Sequence, residues 1–201
     1  MGAPLSNEAL DTIFREARSY NGWLDKDVSE DQLRAIYELV KMGPTSANQQ
    51  PLRIVWCKSP EAKARLAKHA GEKNQPKIET APVCAILAMD IEFHEQLPWL
   101  FPHTDARSWF AGDSEERIAN RKEHAFRNST LQGAYLLIAA RALGLDCGPM
   151  SGFDNAAVDA EFFADKPNYK SNFICSIGYG DPASIFGRSP RPDFDKFNQV
   201  L

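Results

Sequence analysis

A run of apolar positions within residues 129–153 predicts a buried helix followed by a loop of small residues. Each residue of 134–140 is apolar, so we expect a helix that is buried on all sides. Gly144 followed by Leu145 is typical of a helix end, because glycine takes the left-handed conformation and the next apolar side chain packs back on the last turn. Since small residues follow directly, the loop over 148–153 is expected to bring bare backbone N–H groups up beside the core.

Five further segments carry helical signals. Apolar residues recur at i, i+3, i+4 and i+7 in the first of them. Ser29 and Gln32 have the spacing of a capping box, and Ser59 before Pro60 is typical of a helix start. The polar residues 113–127 are predicted to lead directly into the apolar helix. In chain order the five helices are expected to begin near Ser6, Ser29, Ser59, Asp113 and Asp154.

Three segments predict strands. Residues 52–57 are rich in β-branched and aromatic side chains, whereas 82–90 and 173–179 are continuous apolar runs of strand length. Apolar residues at successive positions are typical of a strand that is buried on both faces, so 82–90 is expected to be a central strand. Helices and strands alternate with more helix than sheet, which predicts an α/β or α+β domain with a small central sheet.

Residues 91–112 are rich in aromatic side chains and interrupted by prolines, a pattern too irregular for a core element and too apolar for an ordinary loop. Two interpretations stay open: a lid over a pocket, or a surface excursion whose aromatic side chains fill a satellite cluster. The proline-rich residues 181–201 lack a helical or strand period and are expected to form an extended C-terminal arm. We predict a single domain over residues 1–201.

Composition narrows the classes of partner. The 201 residues carry a formal net charge of −4 and the sequence pI is about 5.6, which argues against a nucleic-acid partner. The N-terminus lacks the features of a signal peptide, and no apolar run reaches the length of a membrane span, so we expect a cytoplasmic protein with no membrane partner. The cysteines lack metal-binding or disulfide spacing, so no metal is expected, and buried thiols are predicted at Cys57, Cys84, Cys147 and Cys175.

Four blocks of the sequence resemble one known family. They are REARSYNGW at 15–23, GPTSANQQP at 43–51, GLDCGPMSGFD at 144–154, and the segment from GYGDP to RSPR at 178–191. Together they resemble the FMN-dependent nitroreductase family, in its malonic semialdehyde reductase-like branch of pyrimidine catabolism. The resemblance implies an α+β nitroreductase-like fold, with a small central mixed or antiparallel sheet flanked by helices and a long buried central helix. It also implies an interlocked homodimer that holds FMN in two clefts at the subunit interface.

By this resemblance, the FMN phosphate is bound by Arg15 near the end of the first helix and by Arg188 and Arg191 in the tail. A phosphate of charge about −2 binds arginine forks and other hydrogen-bond donors. Relatives usually have a serine at the position of Ala17, so a hydroxyl donor is absent there and Ser19 is its candidate substitute.

The other contacts implied by the resemblance surround the isoalloxazine ring. Residues 44–46 resemble the segment that packs on the ring from the partner subunit, and Asn48 resembles the amide that holds this loop or the cofactor. The resemblance places an amide and a nearby amine at the pyrimidine edge of the ring. It places a loop beside flavin N5, and many relatives have glutamate in that loop at the position of Ser151. The residues predicted for these contacts are Pro44, Thr45, Ser46, Asn48, Asn74, Lys77, Pro149, Met150, Ser151 and Gly152.

The resemblance implies an FMN-dependent NAD(P)H oxidoreductase, in which a hydride passes from NADPH or NADH to flavin N5 and then to a small acceptor in a ping-pong cycle. The acceptor implied by the branch is malonic semialdehyde, reduced to 3-hydroxypropionate, and nitroaromatics or quinones are the other acceptors. No catalytic side chain is predicted, because the flavin performs the chemistry beside Ser151 and Gly152. Two alternatives stay open: a non-catalytic flavin-binding or flavin-storage protein, which the changes at Ala17 and Ser151 would fit, and a helical interaction domain without flavin.

Overall fold

An antiparallel sheet forms the centre of the computed structural model, which describes residues 2–201. The strands within these residues are β1 (Leu52–Cys57), β2 (Val83–Asp90), β3 (Asp146–Met150) and β4 (Tyr169–Gly178). They pair in the order β1–β2–β4–β3, so β2 and β4 are the inner strands. The central position predicted for 82–90 is therefore confirmed, and the sheet is antiparallel throughout.

Helices flank the sheet, and their starts follow the capping signals of the sequence. The first helix, α1 (Asn7–Leu10), continues as a π-helical turn at Asp11–Arg15. The capping box of Ser29 and Gln32 is formed, and Ser59 caps the helix that begins at Pro60, as predicted. The remaining helices within the described residues are α2 (Glu30–Val40), α3 (Pro60–Ala67), α4 (Gln75–Glu79), α5 (Leu97–Leu100), α6 (Glu115–Ala142), α7 (Asn155–Phe162) and α8 (Phe194–Phe197). The sequence does not predict α4, α5 or α8, because so few residues cannot display a helical period.

Alternation along β2 divides the apolar core between the two faces of the sheet. Val83, Ala85 and Leu87 pack in one cluster with side chains of α2 and α6, whereas the intervening side chains pack with α3, α4 and α7. Successive side chains of a strand point to opposite faces, so a continuous apolar run requires helices on both sides. This three-layer arrangement confirms the predicted α+β class.

The end of α6 confirms the predicted glycine stop. Gly144 has a φ of 76°, in the left-handed region. Its N–H donates to the carbonyl oxygen of Arg141 at 3.0 Å, and the N–H of Leu145 donates to that of Ala140 at 2.9 Å. These two bonds form a Schellman motif, and the buried Leu145 directs the chain into β3.

α6 is not buried on all sides, so that expectation is wrong for the single chain. Ala134 and Tyr135 are exposed, Tyr135 with 38% of its surface, and Phe126 and Leu131 are exposed on the same helix. The helix packs against the core through the side that carries Leu136, which leaves its other side open. An apolar sequence indicates that a helix is covered, but it does not say whether the cover is the chain's own core or a second molecule.

Residues 148–153 do not form one loop, because the first three belong to β3. Pro149 pairs with Cys175 and Met150 pairs with Ile174 at the edge of the sheet. An edge strand tolerates proline, which cannot donate to a ladder of hydrogen bonds. Glycine and proline have low strand propensity, which is why the sequence pattern predicts a loop here.

Residues 91–112 form short helical turns around α5 and enclose an apolar cluster of their own. Phe93, Leu97, Ala106 and Phe110 are buried in this cluster, with Ala125 of α6 beneath them. The satellite cluster of the second interpretation is therefore present. Closure of the segment over a pocket stays a prediction.

The C-terminal tail after Ile185 contains α8 and otherwise little regular structure. Phe186 and Phe197 are exposed with 79% and 70% of their surface. No helix within residues 2–201 is both long and apolar enough to span a bilayer. The predicted buried thiols are confirmed, since all of the cysteines are buried and free.

Candidate functional site

A cavity of about 320 Å³ collects positive charge where the N-terminal segment, the end of α6 and the tail meet. No carboxylate lies among the lining residues that the structure describes, and Ala17 lines the cavity without a polar side chain. The polar and charged lining residues are Arg18, Ser19, Arg141, Arg188, Ser189 and Arg191. Guanidinium groups gathered in this way repel one another, so the cavity favours an anion. The planar donor fork of arginine matches the oxygens of a phosphate or carboxylate.

Arg141 contributes a half-buried guanidinium to the cavity. It lies in the last turn of α6, where its Nη1 donates to the carbonyl oxygen of Ile13 at 3.2 Å. Its Nε is buried and has no hydrogen-bond partner among the described residues. A buried donor without an acceptor is destabilising, so Arg141 lines the cavity at a cost to the stability of the fold.

Arg18 fastens the tail to the N-terminal segment. Its Nη2 donates to the carbonyl oxygen of Phe186, just before the tail residues Arg188 and Arg191 that line the same cavity. The cavity is therefore assembled from three parts of the chain that are far apart in the sequence.

Arg15 does not line this cavity, although the sequence predicts it in the phosphate site. It lies in the π-helical turn after α1, where its Nε pairs with Asp11 Oδ1 at 2.8 Å and its Nη2 donates to Asn7 Oδ1 at 3.0 Å. Sequence reasoning missed Arg18, and its position directly before Ser19 in the same block is the signal that could have found it.

Ser19 lies beside the start of β3, because the N-terminal segment runs along the outer edge of that strand. Ser19 forms a bridge with Cys147, and the N–H of Tyr20 donates to the carbonyl oxygen of Cys147 at 3.1 Å. A Cβ atom added to Gly148 would lie 2.5 Å from the carbonyl oxygen of Tyr20. This close approach of two backbones therefore requires glycine at position 148.

A second cavity, of about 590 Å³, opens where the chain leaves β3. Asn74 and Gly152 line it, and Asn74 Nδ2 donates to the carbonyl oxygen of Gly152 at 3.1 Å. The N–H of Gly71 donates to the same oxygen at 2.9 Å. The structure thus brings together two of the residues that the sequence predicts for the ring.

β3 connects the two cavities. The chain advances from Cys147 to Gly152 by about 16 Å at most, taking about 3.3 Å per residue. The arginine-lined cavity lies near the start of this strand, and the cavity that contains the amide of Asn74 lies beyond its end. The arrangement suits an elongated ligand with an anionic head and a flat, polar-edged body.

Three other predicted residues lie on or just after this edge, and a fourth lies in α4. Pro149 and Met150 belong to β3, and Ser151 follows them and is exposed. Lys77 is half-buried in α4, and its carbonyl oxygen accepts a hydrogen bond from Trp23 Nε1 at 3.2 Å.

The segment 44–50 contains a strained backbone. Ala47, Asn48 and Gln50 have positive φ values of 46°, 48° and 43°, which is uncommon for residues other than glycine. Each such residue costs about 1–3 kcal/mol and persists only where its surroundings hold it. One restraint is the bond from Asn48 Nδ2 to the carbonyl oxygen of Leu100, at 2.7 Å.

Buried amides supply the other restraints on this segment. Gln49, Asn128 and Gln132 are exposed by 0%, 1% and 3%. Asn128 Oδ1 accepts from the N–H of Ser46 at 2.8 Å, and Gln132 Nε2 donates to Gln50 Oε1 at 2.5 Å. Sequence reasoning missed these amides, although two polar residues spaced by one helical turn on the core side of a helix are a readable signal.

Pro44, Thr45 and Ser46 do not line either cavity beside β3. Asn48 lines a separate groove of about 670 Å³ with Trp99, which is 76% exposed. Within one chain, the structure therefore does not bring the segment 44–50 to the other predicted site residues.

The cluster of Glu92, His94 and Glu95 has ligand atoms within 4.8 Å of one another. Arg121 pairs with Glu92 at 3.3 Å and Arg107 pairs with Glu95 at 2.7 Å, so both carboxylates already have cationic partners. Burial lowers the pKa of His94. We assign no metal to this cluster.

The chain is similar to proteins of a known family over most of its length. A family model described as Nitroreductase family matches residues 14–179. A Burkholderia lata protein with the provisional name NADH dehydrogenase/NAD(P)H nitroreductase is 57% identical over 196 residues, which cover 98% of each chain. A Stenotrophomonas maltophilia protein with the same provisional name is 55% identical over 200 residues, which cover 100% of each chain. The structure of a provisionally named nitroreductase from Exiguobacterium sibiricum, in complex with FMN, has a TM-score of 0.82 and 22% identity over 100% of both chains.

Proposed function

The chain belongs to the nitroreductase family, and on that premise we propose that it reduces malonic semialdehyde to 3-hydroxypropionate. It is an oxidoreductase that uses NAD(P)H and FMN, as its family and relatives indicate. The observation that carries the cofactor assignment is the arginine-lined cavity, connected along β3 to the contact between Asn74 and Gly152.

The residues of the cavity fit the phosphate of FMN. The phosphate carries a charge of about −2 and several acceptor oxygens, and four arginines line the cavity. We place Arg18 rather than Arg15 at the phosphate, because Arg15 is engaged by Asp11. The proposed phosphate residues are Arg18, Ser19, Arg141, Arg188 and Arg191.

The other end of the edge fits the ring. Asn74 offers an amide, and Lys77 lies in the helix that follows it. A side chain at position 152 would collide with Asn74 Nδ2, at 2.7 Å from an added Cβ atom, so glycine keeps the backbone open there. The proposed residues beside flavin N5 are Pro149, Met150, Ser151 and Gly152.

The segment 44–48 reaches the ring in our proposal only from a second copy of the chain. Apolar side chains that such a copy would cover are exposed on α6 and the tail, among them Tyr135 and Phe186. We therefore propose a homodimer with residues of both chains at each cofactor. Analytical ultracentrifugation of the FMN-loaded protein is expected to show a dimer, and an FMN-loaded monomer would contradict this assembly.

When bound, FMN supplies hydride transfer from NADPH or NADH to the acceptor. The chain's own part would be to bind the phosphate through arginine and to hold the edge of the ring with Asn74, beside Gly152. Ser151 is uncharged, so this position does not repel an acceptor that carries a carboxylate.

A steady-state screen tests the acceptor. The FMN-loaded protein is assayed anaerobically with NADPH and with NADH, using malonic semialdehyde, a nitroaromatic and a quinone. We expect the highest kcat/KM for the semialdehyde. Ser151→Glu introduces the charge that many relatives have at this position, and it is expected to lower kcat/KM for the anionic semialdehyde more than for a neutral quinone. A quinone or nitroaromatic preference in the parent protein would overturn the proposed acceptor and leave the cofactor assignment standing.

A non-catalytic flavin-binding protein is the second candidate, because Ala17 lines the cavity without the expected hydroxyl. Anaerobic addition of NADPH or NADH distinguishes the two. The enzyme loses its yellow colour, whereas a binding protein keeps it with either nicotinamide.

A further inference from the structure

A chain of hydrogen bonds links the backbone of the segment 44–50 to a histidine of α6. The N–H of Ser46 donates to Asn128 Oδ1 at 2.8 Å, and Asn128 Nδ2 donates to Gln49 Oε1 at 3.0 Å. Gln49 Nε2 lies 3.1 Å from His124 Nδ1. We call these four residues the amide relay.

The backbone fixes the direction of the amide relay. The N–H of Ser46 can only donate, so Asn128 must present its oxygen there, and Asn128 Nδ2 also donates to the carbonyl oxygen of His124 at 2.8 Å. Asn128 is therefore held at both ends by main-chain groups and cannot rotate its amide without loss. Gln49 must then accept with its oxygen and present its NH₂ group to His124, whose Nδ1 accepts. The proton of the neutral ring consequently sits on Nε2.

We propose that neutral His124 is the positioning residue for the segment 44–50, and that a proton on Nδ1 breaks the amide relay and releases Ser46 from its place at the cofactor. The inference rests on the proposed function, since it takes residues 44–48 to contact FMN in the partner subunit. An imidazolium donates from both nitrogens and faces the NH₂ group of Gln49. If the amide of Gln49 rotated, its NH₂ group would face the NH₂ group of Asn128 instead. Asn128 cannot rotate in response, because its amide is bonded to main-chain groups.

Burial makes this conflict hard to relieve. Gln49 is 0% exposed and Asn128 is 1% exposed, so water has little access to unpaired donors inside the relay. The strained φ values of Ala47 and Asn48 favour relaxation of the segment once Ser46 is free.

The surroundings keep His124 neutral at neutral pH. Burial lowers the pKa of His124, and Arg127 on the same helix acts in the same direction, against Glu123. Two uncharged groups from other elements contact the ring of His124, namely the amide of Gln49 and the ring of Phe110. The proton therefore adds to Nδ1 towards the acidic end of the range in which histidine titrates.

The test compares FMN affinity of the full-length dimer at about pH 7.5 and about pH 5.5, the range in which histidine titrates. His124→Asn is the informative variant, because its Oδ1 replaces the Nδ1 acceptor and cannot be protonated in this range. The phosphate of FMN also titrates near pH 6, and the variant shares that effect with the parent protein. We expect the parent protein to lose about tenfold more affinity than the variant on acidification, as for one lost hydrogen bond.

Two further measurements keep the inference falsifiable. In Gln49→Glu, the carboxylate accepts from Asn128 and from protonated His124, so acidification is expected to leave the relay intact and FMN affinity to fall no more than in His124→Asn. ¹⁵N NMR of the flavin-free protein is expected to show the Nε2–H tautomer of His124, with His103→Asn as a control that removes an exposed histidine outside the relay. An Nδ1–H tautomer, or equal acid sensitivity in the parent protein and His124→Asn, would overturn the inference. Absence of FMN binding at pH 7.5 would instead overturn the proposed function, and the NMR result would still decide the relay.

Discussion

Arg141→Met separates the affinity for FMN from the stability of the flavin-free protein. Methionine keeps the apolar stem of the side chain and removes the guanidinium. The flavin-free protein loses the bond from the charged guanidinium to the carbonyl oxygen of Ile13, which contributes about 1.5–3 kcal/mol. It also loses a buried Nε without a partner, and such a group destabilises a fold by about 1–3 kcal/mol. The two contributions are of similar size and opposite sign, so the free energy of unfolding is expected to change little.

FMN binding, in contrast, is expected to weaken. A hydrogen bond to a charged group contributes about 1.5–3 kcal/mol, so Arg141→Met is expected to weaken FMN binding by about 10- to 150-fold. Quenching of FMN fluorescence measures the affinity, and urea denaturation of the flavin-free protein measures the stability. Arg15→Met is the matched control, because Arg15 is exposed, pairs with Asp11 and lies outside the cavity. Unchanged FMN affinity in Arg141→Met, or an equal loss in Arg15→Met, would refute this account of the phosphate site.

Three other expectations follow from groups outside the cofactor contacts. Gly148→Ala is expected to destabilise the protein by about 1–3 kcal/mol in urea denaturation, since its Cβ would lie 2.5 Å from the carbonyl oxygen of Tyr20; a neutral effect would contradict that packing. Burial raises the pKa of Cys84 to about 12, so native protein is expected to leave this thiol unreactive towards a disulfide reagent near pH 8 until it unfolds. Burial lowers the pKa of His94 and His124 below their unfolded value, so the unfolded state binds more protons as the solution is acidified. Their contribution to stability is then complete above about pH 6.5 and is lost as pH falls through the folded pKa values, and a melting temperature that rises on acidification would refute it.

Local signals predicted those parts of the fold that local chemistry determines. Ser29 and Ser59 cap helices by accepting from backbone N–H groups three residues ahead, and Gly144 adopts the left-handed conformation that ends α6. Neighbouring residues therefore suffice to predict each of these features. β3 differs, because Gly148 and Pro149 have low strand propensity and become a strand only through pairing with β4. Such non-local pairing is not visible in a short stretch of sequence.

The candidate site shows the same division. Asn74 and Gly152, which the family resemblance implies for the ring, lie within hydrogen-bond distance of each other, and their role at the ring stays a prediction. Arg141 was not predicted, because an arginine in the last turn of a helix is ordinarily a solvated charge near the helix C-terminus. Only the meeting of three distant chain segments gives that arginine a cavity to line.

The attachment of the tail to Arg18 has a consequence for the order of events during synthesis. The strands and α1 to α7 have been synthesised when the ribosome has passed Gly178, whereas Arg188 and Arg191 follow later. Proteolytic clipping just after Ile185 would therefore spare the sheet and remove half of the cationic side chains of the cavity. Retention of the yellow colour through purification would then serve as a simple readout of an intact C-terminus.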